Sequence, residues 1–580
     1  MIKKLAVLFY ALPLGMLMAA PPYVKIPDVS DAVKAAVPPK PEDMKEKVPP
    51  ELQITVPEER EPLLLPEGET VYVDAIAVEE PVLGPSDGLE ALLGGYTGKA
   101  LNMNDINELC GKVSSYYREK GYMLARAYAP KQNVPAQHGV LRIIVVIGAY
   151  GVIDVNNSTC VSDAYMKRFL EHRFPRGNVL TQTDLERTML LVQRMSGGSL
   201  PRIALAPGER FGTTNLNVDV PEGKRIEGYV IGDNTGDEPS GKYRLMAGLS
   251  WNAPLGIGDQ LSFGGMISES AAVKNAMLSY TFPLGYDGVT LALSYAKTNT
   301  DFIIGEMPEG TQEILDASKG DSSIYDVRLS YPARLTQLET VDVHLDFSRI
   351  QLENRTVYND AFGIDDDVIP KRLNVVRAGA QWEGFSLLID RMFFQTLMGE
   401  LSVGNVKNGG PYGAENKTEG SYSKCLFSYT GNLALDGSSE LLGSVKLQKA
   451  FGKPLDSFEQ LTLSGSNGVK VYTDSDFTAD TGYFLALEYQ YRLPGYKTLE
   501  HKLGIFAEHA RGTFEDEDYS ANNGNEARSL SDAGIVYYAL ADRLFFNARW
   551  AHVLGGGEAG ENVQKNTYRS RLMLTLGVVF

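Results

Sequence analysis

Residues 570–580 read "SRLMLTLGVVF", and their alternation sets the fold of the long C-terminal part of the chain. Leu572, Leu574, Leu576, Val578 and Phe580 fall on one face, with Arg571, Met573, Thr575 and Gly577 on the other. A period of two is a strand signal. The same pattern recurs upstream. In "VDVHLDFSRI", Val341, Val343, Leu345 and Phe347 oppose Asp342, His344, Asp346 and Ser348. In "YFLALEYQY", Tyr483, Leu485, Leu487, Tyr489 and Tyr491 oppose Phe484, Ala486, Glu488 and Gln490. In "LFFNARW", Leu544, Phe546, Ala548 and Trp550 oppose Asn547 and Arg549.

A soluble antiparallel sheet alternates in the same way, so the connections must decide. They run short, then long: "PLGYDG" then "TDFIIGEMPEGTQEILDASKGDSS", "PARLTQLE" then "ENRTVYNDAFGIDDDVIPK", "LPGYKT" then "GTFEDEDYSANNGNEA", "ALAD" then "LGGGEAGENVQKNTYR". Short turns at one end and long polar loops at the other describe an outer-membrane β-barrel. The segment from 223 to 580 holds about sixteen strands, an even number as such barrels require. Phe580, on the apolar face, fits the closing strand of a bacterial barrel. The 58 glycines, 30 tyrosines and 22 phenylalanines suit such a β-rich composition. Beyond the N-terminus no segment reaches the ~18 consecutive apolar residues of a membrane-spanning helix. A membrane passage must therefore be a closed barrel.

Residues 1–20, "MIKKLAVLFYALPLGMLMAA", have the basic start, apolar middle and small-residue end of a secretory signal. Residues 21–68 are rich in proline and charge and are expected to be extended or mobile. Within them "DVSDAVKAAV" predicts a short helix, capped at Ser30 or Asp31 and stopped by Pro38. Residues 69–148 read as a small α/β unit. A strand in "TVYVDAIAV" is followed by a helix in "NDINELCGKVSSYYREKGY", stopped by Gly121, and by strands in "MLARAYAP" and "VLRIIVVIGAY". Residues 149–222 repeat the layout with helices in "VSDAYMKRFLEHRF" and "QTDLERTMLLVQRM". The two units form a tandem repeat of architecture rather than of sequence.

The net charge of −18 argues against nucleic-acid binding. Cys110, Cys160 and Cys425 are sparse and unpatterned, although a Cys110–Cys160 pair is open to the chain. The six histidines are scattered, and no metal site or cofactor is indicated. Glu515–Asp518 and Asp365–Asp367 are acidic enough for calcium, but without EF-hand spacing they read as solvated outer loops. Nucleotide-binding, G-x-S-x-G and H-E-x-x-H motifs are absent, so no enzyme is expected.

From residue 69 to 580 the chain resembles the two-partner secretion transporters, the exporters of haemolysins and filamentous adhesins. "LARAYAPKQNVPAQHGVLRIIVVIGAYGVIDV" (124–155) resembles the end of their first POTRA (polypeptide-transport-associated) domain, and "LAPGERFGTTNLNVDV" (205–220) the end of their second. "GYVIGDNTGDEPSGKYRLMAGLSWNAPLGIGDQLSF" (228–263) is similar to the family's first barrel strands. The resemblance implies two periplasmic POTRA domains, 69–148 and 149–222, ahead of the barrel. It also implies a lumenal loop at about 451–479, between strands eleven and twelve. The family's loop tip, V-R-G-[YF], matches Val469, Lys470, Val471 and Tyr472. Its strand-thirteen motif, F-x-D-x-G, matches Phe506 to Ala510, with Glu508 at the acidic position. Both charges keep their sign, and both glycines are replaced.

A cation on a loop inside a barrel is costly without a partner. Alternation turns Glu508 inward with Phe506 if Leu503, Ile505 and Ala507 face lipid. Lys470 and Glu508 are thus expected to form a gate latch anchored by Tyr472. Lysine, a point charge, should make it less directional than arginine would. Exchanging the two charges should restore what either reversal loses. The implied function is export of an unfolded adhesin- or haemolysin-like partner, captured by β-augmentation and passed through the outer membrane by a monomer in contact with lipid. The alternatives are a barrel-assembly factor or, with less support, a passive porin.

Overall fold

The computed structural model describes residues 49–56, 68, 70–79, 87–237, 240–303, 315–358, 367–409, 417–474, 476–496, 498–515, 527–554 and 569–580. The expected signal sequence and the 28–37 helix lie outside the described residues, as do most of both acidic loops.

Sixteen antiparallel strands close into a barrel between Ile226 and Val579. The first strand (Ile226–Asp233) pairs with the last (Ser570–Val579) from Tyr229↔Val579 to Asp233↔Thr575. Phe580 extends that seam through reciprocal backbone bonds with Gly228, at 2.9 and 3.0 Å. The alternation sets which face meets which medium. Leu345, Phe347, Leu485, Leu487, Leu572 and Leu576 point outward and are exposed, whereas Asp346, Ser348, Arg571 and Met573 are buried within. A continuous apolar girdle of this kind is unfavourable in water and matches the lipid-facing band of an outer-membrane barrel. No described helix is long and apolar enough to cross a membrane.

The barrel differs from the sequence reading at its long connections. Strands six (Leu315–Leu335), seven (Glu339–Tyr358) and eight (Asp367–Leu388) run on into stretches read as loop. Their polar tips still pair: Lys297 and Asn299 reach Asp321 across the ladder, the latter at 2.6 Å. Hydrogen-bonded strands with solvated side chains can project beyond an apolar belt, so polarity marked the edge of the belt rather than the end of the strand.

Ahead of the barrel, the 70–148 stretch packs its helix Met103–Glu119 on a three-stranded sheet ordered Ala75–Glu79, Val140–Val146, Arg126–Tyr128. The helix starts at a capping box, in which Asn102 accepts from Asp105 N–H and Asp105 accepts from Asn102 N–H. It ends before Gly121, whose φ of +94° suits glycine. An additional helix, Asp87–Gly94, was not expected. The following stretch sets helices Asp163–Arg173 and Gln182–Met195 against strands Ala149–Asn157, Thr213–Val220 and Arg202–Pro207.

The proline-rich segment contributes a strand of its own. Gln53–Thr55 pairs in parallel with Arg202–Ala204 and fills the edge of this second sheet. Leu52 and Ile54 pack against its core. Three residues need no core of their own when a ready sheet edge satisfies their backbone. Cys110 and Cys160 belong to different cores, and all three cysteines are free. Burial pushes the Cys110 thiol up to about 11, which keeps it protonated and unreactive.

The second α/β unit is fastened beneath the barrel. Arg194 binds Asp342 through two bonds of 2.9 and 3.0 Å, Arg173 meets Asp287 at 2.7 Å, and Arg187 donates to the Pro332 carbonyl at 2.8 Å. Glu186 accepts from the Gln337 amide in the turn between strands six and seven. These contacts mark the periplasmic mouth.

Candidate functional site at the lumenal loop

Between strand eleven (Ser439–Ala450) and strand twelve (Thr481–Arg492) the chain turns back into the lumen and folds there. A two-stranded ribbon, Leu461–Thr462 with Thr478–Ala479, forms the stem of its tip. Val469, Val471 and Tyr472 are buried with Leu463 and Phe477. They pack against Phe484, Phe506, Ala510, Leu530, Val536 and Met573 of the barrel wall. This is a small hydrophobic core inside a polar channel. Buried apolar area is worth roughly 25 cal/mol per Å², which sustains the inward fold of the loop. Gly512 on strand thirteen (Leu499–Thr513) makes the approach possible, because a Cβ there would stand 2.4 Å from the Ala479 Cβ and 2.6 Å from Leu463 Cδ1.

The structure brings Lys470 and Glu508 together, with an unequal division of contacts. The Lys470 backbone N–H donates to Glu508 Oε2 at 2.9 Å. Its ammonium lies farther off, 3.7 Å from Glu508 Oε1, donates to the Gly468 carbonyl at 2.8 Å and sits over the Phe484 ring. Arg549, on strand fifteen (Leu544–Val553), also stands 3.7 Å from Glu508 Oε1. It covers the Phe506 ring at 4.3 Å and pairs with Glu488 at 2.7 Å. The carboxylate thus serves a backbone amide first and two cations second. Val471 has no positive φ, so the tip needs no glycine at that position.

Alternation could place Glu508 inward, but several partners are joined only by barrel register. The Val471 N–H donates to Asp532 Oδ2 on strand fourteen (Arg528–Ala541) at 2.8 Å. Arg571, on the last strand, donates to the Tyr472 carbonyl and to the Thr235 and Gly236 carbonyls beyond the first strand, each at 2.7 Å. Arg244, on strand two (Arg244–Asn252), links Asp233 at 2.9 Å to Asp474 of the loop at 3.2 Å. The loop tip therefore touches the last strand directly and is linked to the first through Arg244 and Asp233. At the loop's base Asp456 pairs with Lys371 at 2.9 Å, and Glu459 pairs with Arg377 at 2.7 Å and Lys424 at 2.8 Å. Phe580 lies apart from the loop, at the end of the seam.

Residues 212–523 match the sequence profile of the haemolysin secretion/activation proteins ShlB, FhaC and HecB, and residues 71–148 match the ShlB-type POTRA domain. The heme/hemopexin transporter protein HuxB of Haemophilus influenzae is 24% identical over 463 residues, covering 77% of this chain and 79% of that protein. The outer membrane transporter CdiB of Dickeya dadantii is 26% identical over 411 residues, covering 68% and 67%. Among solved structures, CdiB from Escherichia coli superimposes with a TM-score of 0.69 at 18% identity over 95% of both chains. CdiB from Acinetobacter baumannii gives 0.64 at 14% identity over 96% of this chain and all of that one. The profile spans more than half of the sequence, on a sixteen-stranded barrel with a POTRA domain before it. The chain belongs to the haemolysin secretion/activation family of outer-membrane transporters.

Proposed function

We propose that this outer-membrane transporter is a gated pore for one unfolded exoprotein, with residues 69–148 and 149–222 as periplasmic receptors and 223–580 as the channel. The observation that carries this reading is the loop folded inside the lumen, which plugs the resting channel with a removable core. The sheet edge a client needs is the strand Arg202–Pro207, where backbone pairing captures an extended chain with little demand on its sequence. Gln53–Thr55 occupies that edge, so client capture competes with it. A client drawn into the lumen then competes with the loop for the wall around Phe506. Neither step calls for bound nucleotide or enzymatic chemistry. The barrel works as a monomer, its outward apolar band solvated by lipid acyl chains.

The client is an adhesin- or haemolysin-like protein, identified by comparing culture supernatant and outer membrane with and without this gene. The expected result is loss of one large supernatant protein with outer-membrane barrels unchanged. A broad fall in outer-membrane barrels would instead make the protein an assembly factor. No change in either fraction would leave a porin.

A further inference from the structure

The lumen wall carries a side-chain cluster that the gate does not use. His344 on strand seven, Gly379 on strand eight and Glu400 on strand nine (Arg391–Asn408) lie in one row of the sheet. Glycine leaves the middle of that row empty, and the imidazole fills the space. A Cβ at position 379 would stand 2.6 Å from both Cε1 and Nε2 of His344. Asp346 lies two residues along strand seven on the same face and is buried. The His344 Nε2 atom is buried without a hydrogen-bond partner among the described residues. It faces Glu400 Oε2 at 3.6 Å and Asp346 Oδ2 at 4.0 Å. Such gaps are too long for hydrogen bonds. They are close to the edges of a coordination tetrahedron, roughly 3.4 Å when metal–ligand bonds are ~2.1 Å.

We propose that His344, Asp346 and Glu400 bind a divalent transition ion of the zinc class at the pore wall. An imidazole with two carboxylates suits such an ion better than calcium or magnesium, which favour all-oxygen shells. The outer contacts hold the ligands in place. Glu400 Oε1, the oxygen turned away from His344, accepts from Ser402 Oγ at 3.2 Å and lies 3.8 Å from Arg377 Nε. Asp346 is held by Arg328 through bonds of 2.8 and 2.7 Å. Each carboxylate oxygen has two lone pairs, so Oδ2 keeps one for the ion. Outer-shell bonds of this kind orient metal ligands in general. Asp342, one step nearer the periplasm on the same face, carries the Arg194 contact from the second α/β unit. The ion would therefore tie strands seven and nine together at the mouth where that unit docks. A His-x-Asp pair and a glutamate 54 residues later form no motif; only the barrel register unites them.

The test uses untagged full-length protein in detergent, stripped with a chelator and titrated with Co²⁺ and then Zn²⁺. The expected result is one equivalent of Co²⁺ with the visible absorption of a low-coordinate site, displaced by Zn²⁺. His344→Ala should abolish the band and Glu400→Gln should weaken binding at least tenfold, with the folded barrel's gel mobility retained. Should His344→Ala fail to fold, Glu400→Gln and Gly379→Ala carry the same comparison. Absence of a stoichiometric site in the unaltered protein, or undiminished binding in the variants that fold, overturns the proposal.

Discussion

The base and the tip of the lumenal loop are fastened by different physics. At the base, Asp456 and Glu459 meet Lys371, Arg377 and Lys424 as buried ion pairs. At the tip, an apolar core is located mainly by wall carboxylates that accept from backbone amides, with Glu508 on Lys470 and Asp532 on Val471, and Arg244–Asp474 adds one buried ion pair. Buried charges are costly when a partner is lost, whereas a hydrogen bond from a backbone N–H survives any change of side chain except to proline. The base therefore resists release, and the tip tolerates sequence change at its cationic position. The tip can thus carry a lysine at the position that the resemblance assigns to arginine.

Four substitutions would break or sharpen that contrast, each read as open probability in planar bilayers. Glu459→Leu should have the largest effect, at about 3–5 kcal/mol, because it takes the buried carboxylate from two cations at once. It leaves Arg377 with Ser348 and the more distant Glu400, and Lys424 with Gln448 and the residue-459 carbonyl. That cost corresponds to well over a hundredfold more opening, at roughly 1.4 kcal/mol per tenfold. Arg571→Ala comes next. It removes a charged donor from three carbonyls, two of them buried, about 1.5–3 kcal/mol, and should also lower the temperature at which the barrel unfolds on a gel. Gly512→Ala presses a methyl group into Ala479 and Leu463, and overpacking of about 1–3 kcal/mol should loosen the tip without altering the base. Lys470→Ala should have the smallest effect, under ~1 kcal/mol, since its ammonium stands 3.7 Å from Glu508 and its amide bond remains.

The same geometry revises one expectation drawn from the sequence. Exchanging the charges at 470 and 508 would set a new lysine beside Arg549, which already lies 3.7 Å from the Glu508 carboxylate. The double reversal should therefore fail to restore secretion. Restoration would show that Lys470 and Glu508 form an independent pair.

Much of the architecture was legible in the sequence because a period of two is clear in several strands, the last above all. The same period places Phe506 and Glu508 on the lumen face. Register is different, since it depends on how far neighbouring strands slide. Asp532, Arg549 and Arg571 are scattered along three strands and converge only once the sheet closes. The row of His344, Gly379 and Glu400 was hidden for the same reason. Gln53–Thr55 was missed because an edge strand draws its stability from the sheet it joins, and a proline-rich context masks three suitable residues. Strands six to eight outrun the expected loops because polarity reports solvent rather than backbone pairing.

The most direct test of the central claim compares Glu508→Ala with Asp532→Ala and Lys470→Ala in single-channel recordings. Wall carboxylates on backbone amides predict about 5- to 150-fold more opening for each acidic variant, from the ~1–3 kcal/mol of an orphaned buried donor, and less than about fivefold for the lysine variant. Equal opening in all three would contradict the account and return the latch to the lysine side chain.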